Sequence, residues 1–184
     1  MSLCESDRSL LLLVDIQERL AAAMPAESRA MVVRNAGMLA RAAELLGVPV
    51  LVTEQYPQGL GPTDPGLKAQ LPASVRLVEK TSFSCCGAVG FEAHLRESGR
   101  RQIVLAGMEA HVCVLQTALE LGAAGWPVFA AADAICSRRP ENHRNAMDRL
   151  RQHGVTVTNT ESVLFEWLRD ARHEHFKAIS RMVR

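Results

Sequence analysis

An α/β fold is what this 184-residue sequence predicts: three αβα layers on a six-stranded, mainly parallel, doubly wound sheet. The first observation behind it is residues 10–14, LLLLV, an unbroken apolar run that stops at Asp15. A strand without polar alternation is one buried on both faces, as in the middle of a parallel sheet. The second is recurrence, with β-type runs returning at 48–53, 75–78, 102–106, 127–132 and 155–158 and helix-forming stretches between most of them. The third is composition: 48% hydrophobic and 22% charged residues suit one globular core.

The elements follow in order. Residues 29–46 place Met31, Val32, Ala36, Leu39, Ala43 and Leu46 at helical spacing, and Gly47 supplies the stop. The second strand leads into a Gly- and Pro-rich loop, 54–72, too long for a simple connector and expected to border a site. A short third strand opens onto EKTSFSCCGAVG, and 88–98 reads as a helix ended by Gly99. The fourth strand stops at Gly107, and a helix begins at His111 or Val112 and is closed by Gly122 and Gly125. Asp133 is expected to end the fifth strand, with a loop running to Pro140 at the start of a helix over 141–153. The sixth strand precedes a helix over 160–168 with Thr160 as its N-cap. From Arg169 the tail is charged and reads as a solvated helix packed on a neighbouring subunit. With no repeat and no linker, residues 1–184 are expected to form one domain with its core at about 8–168.

Composition also excludes. A formal net charge of +1 without a basic, aromatic-interleaved stripe argues against a nucleic-acid partner. Residues 10–14 are too short for a signal-peptide core and lie between Asp7 and Asp15; nothing approaches a membrane span. Five cysteines (Cys4, Cys85, Cys86, Cys113 and Cys136), an odd number without CxxC spacing, argue against a disulfide framework or a zinc site and fit the cytoplasm.

Three ionisable residues fall at carboxyl ends of strands: Asp15 after the first, Lys80 after the third and Cys113 after the fourth. In a doubly wound sheet those ends share one crevice, where ligands bind. Cys113 falls at a strand-to-helix turn, where unpaired N–H groups bias a thiol toward thiolate. Each has a plainer reading: Asp15 as a turn cap, Lys80 as a solvated charge, Cys113 as core. Asp15 tilts the balance toward function, because a carboxylate closing a buried strand is costly unless a partner meets it.

The motifs VDIQ (14–17), EQYPQGLG (54–61), EKTSFS (79–84), GMEAHVCV (107–114) and DAICSR (133–138) make the chain resemble the isochorismatase-like cysteine hydrolases, which include nicotinamidases and N-carbamoylsarcosine amidohydrolases. The resemblance implies a triad: Asp15 carries the proton, Lys80 holds charge in place and Cys113 attacks the carbonyl. It also implies a cis peptide between Met108 and Glu109, with the N–H groups of Glu109 and Cys113 as oxyanion hole. Gln17, Tyr56, Phe83 and His111 become candidate substrate contacts, although Phe83 also reads as core and Gln17 as a local turn contact. His111 lies two residues from Cys113 on a different side of the turn, which disfavours a Cys-His dyad. Nicotinamidases carry metal-binding histidines after the second strand. That region has none here, so no metal and no cofactor is expected. Presence of Cys113 points to C–N bond hydrolysis of a small amide-like substrate in a homo-oligomer. Vinyl ether hydrolysis through Asp15 and a non-catalytic scaffold are the alternatives. The adjacent Cys85 and Cys86 read as packing residues rather than redox centres.

Overall fold

The computed structural model describes residues 3–184. Six strands form one sheet in the order β3-β2-β1-β4-β5-β6, every neighbouring pair parallel. β1 (Ser9–Val14) is the buried central strand, flanked by β2 (Val50–Gln55) and β4 (Gln102–Met108). β3 (Arg76–Lys80) closes one side, and β5 (Val128–Cys136) with β6 (Thr156–Thr158) the other.

The helices cover both faces. α1 (Glu18–Ala22) and the long α2 (Ala26–Leu46) leave β1, and Gly47 at φ 65° ends α2 in the left-handed conformation that glycine adopts freely. Residues after β2 contain two single turns, α3 (Pro57–Leu60) and α4 (Pro65–Lys68). α5 (Phe91–Glu97) precedes β4, and α6 (Leu115–Ala123) follows it. α7 (Pro140–Gln152), α8 (Thr160–Leu168) and α9 (Phe176–Met182) complete the chain. Leu11, Leu13 and Val52 point into one apolar layer with Leu39 of α2 and Trp167 of α8. Leu10, Leu12 and Leu51 point into the other with Leu115 of α6 and Leu150 of α7. Alternate residues of a strand face opposite layers.

Several boundaries differ from the sequence expectation, for identifiable reasons. β2 and β3 run on through Glu54–Gln55 and Glu79–Lys80, which pair with one another at the ladder's end; Glu54, Gln55 and Lys80 find side-chain partners and Glu79 is exposed, so none of them stops a strand. β5 does not end at Asp133. A bulge opposite Leu105–Gly107 absorbs the extra residues, and pairing resumes at Ile135 and Cys136. The N-cap of α8 is Asn159, whose side chain accepts the Ser162 N–H; the Thr160 hydroxyl and N–H both go to Asp133. The helix expected from residue 88 starts at Phe91, because residues 85–87 form a 3₁₀ turn. The tail buries Ile179 against its own core, with Phe176 edge-on to Phe165. Part of its apolar face is thus covered within the chain, with Phe176, Met182 and Val183 only partly buried. No helix among the described residues is long and apolar enough to cross a membrane.

Candidate active site

β1 delivers Asp15 one residue past its last rung. At φ 52° the residue adopts the left-handed conformation, which Asp tolerates better than most. Its N–H donates to the Thr53 carbonyl and its own carbonyl accepts from Gln17 N–H, so the turn is held on both sides. The carboxylate is fully buried: Oδ2 lies 2.7 Å from Lys80 Nζ, and Oδ1 accepts the Thr53 hydroxyl at 2.7 Å. Lys80 comes from the last position of β3, two strands away. Its ammonium also donates to Gln55 Oε1 and to the carbonyls of Ser82 and Phe83. A buried ion pair is tolerable when hydrogen bonds satisfy the rest of both ions, as they do here.

Cys113 arrives from the other side of β1. At Gly107 a Cβ would collide with the Val14 carbonyl oxygen, so only glycine lets the end of β4 press against the end of β1. The Met108–Glu109 peptide bond is cis, and one wide turn of π-helix (Ala110–Val114) carries Cys113 into α6. The thiol is buried beside Asp15, close enough to feel its charge. Burial first, then the Asp15 charge, push it well above the ordinary thiol range, with Lys80 pulling the other way. The thiolate bias expected from a helix start is thus reversed: loss of solvent and an adjacent carboxylate outweigh the turn's dipole. Cys113 therefore rests as a thiol.

Residues 9–162 match the isochorismatase domain model. The chain belongs to the isochorismatase family. It is similar to isochorismatase domain-containing protein 2 of Danio rerio, 39% identical over 176 residues that span 95% of this chain and 86% of that one. Among solved structures it resembles the MAR1 ribonuclease of Caenorhabditis elegans, with TM-score 0.92, 32% identity, and 99% and 92% of the two chains covered. It also resembles YcaC of Pseudomonas aeruginosa, solved with hexane-2,5-diol and covalent acrylamide, with TM-score 0.91, 26% identity, and 98% and 91% covered.

Around Asp15, Lys80 and Cys113 the other expected contacts separate. Gln17 is buried and spends its amide on backbone, donating to the carbonyls of Gln55 and Gly61 and accepting from Gln55 N–H. It is a strut rather than a wall. Tyr56 and Phe83 are about half exposed, and each is tied to Lys80 by its backbone: Tyr56 N–H donates to the Lys80 carbonyl, and the Phe83 carbonyl accepts from Nζ. His111 is directed at the β5–α7 connection. With the Asn142 amide nitrogen against Nε2, that ring nitrogen accepts, and Nδ1–H donates to Ser137 Oγ. Glu109 is buried and receives the backbone N–H and the side-chain Nε of Arg138.

Thr53 and Gln55 were not singled out from the sequence, and Cys85 was read only as packing, yet all three touch or support Asp15 and Lys80. Spacing held part of the signal, because Thr53 and Gln55, two apart on β2, share a face. Cys85 is buried, with its N–H on Thr117 Oγ1 and its thiol on Thr53 Oγ1, whereas Cys86 is exposed rather than packed. Among the described residues no group of three or more His, Cys, Asp or Glu side chains is placed to hold a metal ion. A crevice of about 370 Å³ opens at the opposite edge of the sheet beside Pro49, Pro72 and Arg76, and none of the triad lines it.

Proposed function

We propose that this protein hydrolyses a C–N bond of a small amide or amide-like substrate, with Cys113 as nucleophile, Asp15 as proton carrier and Lys80 holding the charge. The observation that carries this reading is a buried thiol beside a carboxylate whose two oxygens contact a buried ammonium and a hydroxyl. As the S–C bond forms, the carbonyl π pair moves to oxygen and the thiol proton passes to Asp15. The backbone N–H groups of Glu109 and Cys113 receive the oxyanion. Collapse restores the carbonyl and breaks the C–N bond, and the departing nitrogen takes the proton from Asp15. Water then adds to the thioester and gives a proton to Asp15, which returns it to sulfur as the acid leaves. A carboxylate that lends its proton twice must neither hold it tightly nor refuse it.

The covalent acrylamide in YcaC of Pseudomonas aeruginosa supports a reactive nucleophile in a related chain, since acrylamide is an electrophile that thiols add to. The MAR1 ribonuclease name attributes RNA cleavage to that protein; a net charge of +1 gives this chain little pull on a phosphate backbone. Homo-oligomeric assembly, on the strength of the sequence resemblance, and a cytoplasmic location, on the odd cysteine count without CxxC spacing, belong to the same proposal.

The test is a panel of small amides, ureides and nicotinamide, assayed for released ammonia or amine beside isochorismate and a single-stranded RNA. Mass spectrometry of quenched turnover looks for an acylated Cys113 peptide. Amide turnover lost in Cys113→Ala supports the reading. Ether cleavage that survives Cys113→Ala, or RNA cleavage with no amide turnover, overturns it.

A further inference from the structure

The Thr53 hydroxyl has one proton and two neighbours. Asp15 Oδ1, 2.7 Å away, belongs to a carboxylate and only accepts, so the Thr53 proton points at it. The remaining contact, Cys85 Sγ at 3.7 Å, must then be the donor, its S–H aimed at the Thr53 oxygen. That direction needs a cysteine that stays protonated, and burial first, then the Asp15 charge, push the Cys85 thiol up to about 12. Cys85 is itself pinned by Thr117 Oγ1 on its backbone N–H, from the same α6 that follows Cys113. A one-way chain therefore runs from Cys85 through Thr53 to Asp15.

We propose that Thr53 is a positioning residue for the triad, oriented by Cys85, which holds the Asp15 carboxylate ionised and so sets the pH at which it accepts the Cys113 proton. The inference rests on the triad reading above and goes beyond it, because neither residue touches substrate in that scheme. The charged and titratable groups facing Asp15 are Lys80 from β3, Cys113 from the turn after β4 and Cys85 from the 3₁₀ turn. Lys80 and Thr53 donate to different oxygens of the carboxylate. Hydrogen bonds to the charged form lower proton affinity, and each removed raises it.

The experiment needs no substrate. Iodoacetamide labelling of the full-length protein is followed on the Cys113 peptide from pH 4 to 10 by mass spectrometry. In the wild-type protein the rate rises in two steps, the lower one when Asp15 ionises and accepts the thiol proton. In Thr53→Val, which keeps shape and removes the hydroxyl, that lower step moves up by about one pH unit, the size expected for one lost hydrogen bond to a charged group. Thr53→Ser restores it, and Cys85→Ala shifts it the same way by less. A residue that only filled space would leave the step in place in Thr53→Val, provided the melting profile is intact. An unmoved step in Thr53→Val, together with its disappearance in Asp15→Asn, overturns this inference and leaves the triad standing. A wild-type profile with no Asp15-dependent step overturns both.

Discussion

Cys113 and Cys136 lie at the carboxyl edge of adjacent strands β4 and β5, and they are buried almost alike, at 5% and 4% exposed. Burial is the largest influence on both thiols, and it lifts Cys136 to about 12. Their second neighbours differ. Cys113 faces Asp15 with Lys80 opposing it, whereas Cys136 feels Glu109, a carboxylate already engaged by Arg138. Being a buried thiol at the right edge of a parallel sheet is therefore insufficient. On the proposed reading, what separates a nucleophile from a packing residue is a base that accepts its proton and a cation that steadies the charge left behind.

That contrast can be broken in several ways. Cys113→Ala should lower amide hydrolysis by at least about 10⁴-fold, the scale seen when a catalytic triad loses its nucleophile, while Cys136→Ala leaves the rate unchanged; steady-state kinetics on both variants decides. Lys80→Met strands a buried carboxylate, and urea unfolding should show a loss of about 3–5 kcal/mol. Gly107→Ala drives a methyl into the Val14 carbonyl, and overpacking of that kind costs about 1–3 kcal/mol, read as a lower melting temperature. The smallest effect is the most diagnostic. In Asp15→Asn the charge that raises the Cys113 thiol is gone while Lys80 remains, so Cys113 should titrate as a single step at lower pH than the upper step of the wild-type protein. Labelling of Cys136 in the same samples should not move.

The sheet was legible because apolar runs such as LLLLV have few alternatives. What escaped were strand ends where charged residues find partners across the ladder. A reading by apolar runs stops at Val78, yet Lys80 is still on the strand and its ammonium lies at Asp15. β5 escaped for a related reason: Asp133 looks like a terminator, but its carboxylate is consumed by Thr160 and the strand passes it in a bulge. Within the site, Asp15, Lys80 and Cys113 could be named because each follows a run ending at the same edge. Thr53 and Cys85 could not, since a threonine inside an apolar strand and a cysteine in a loop announce nothing until the fold brings Asp15 beside them. The protonation of Cys113 was misjudged because desolvation is a property of the assembled interior, absent from any local pattern.

The Lys80 ammonium offers three protons to four acceptors, two of which are the carbonyls of Ser82 and Phe83. The segment bearing the half-exposed Phe83 ring thus hangs from this buried ammonium as a hook hangs from a nail. Lengthening or shortening that segment at residues 81–83 would disturb the Asp15–Lys80 pair along with the Phe83 ring. Room for the sequence to drift without that penalty begins further along, where Val89 projects into solvent.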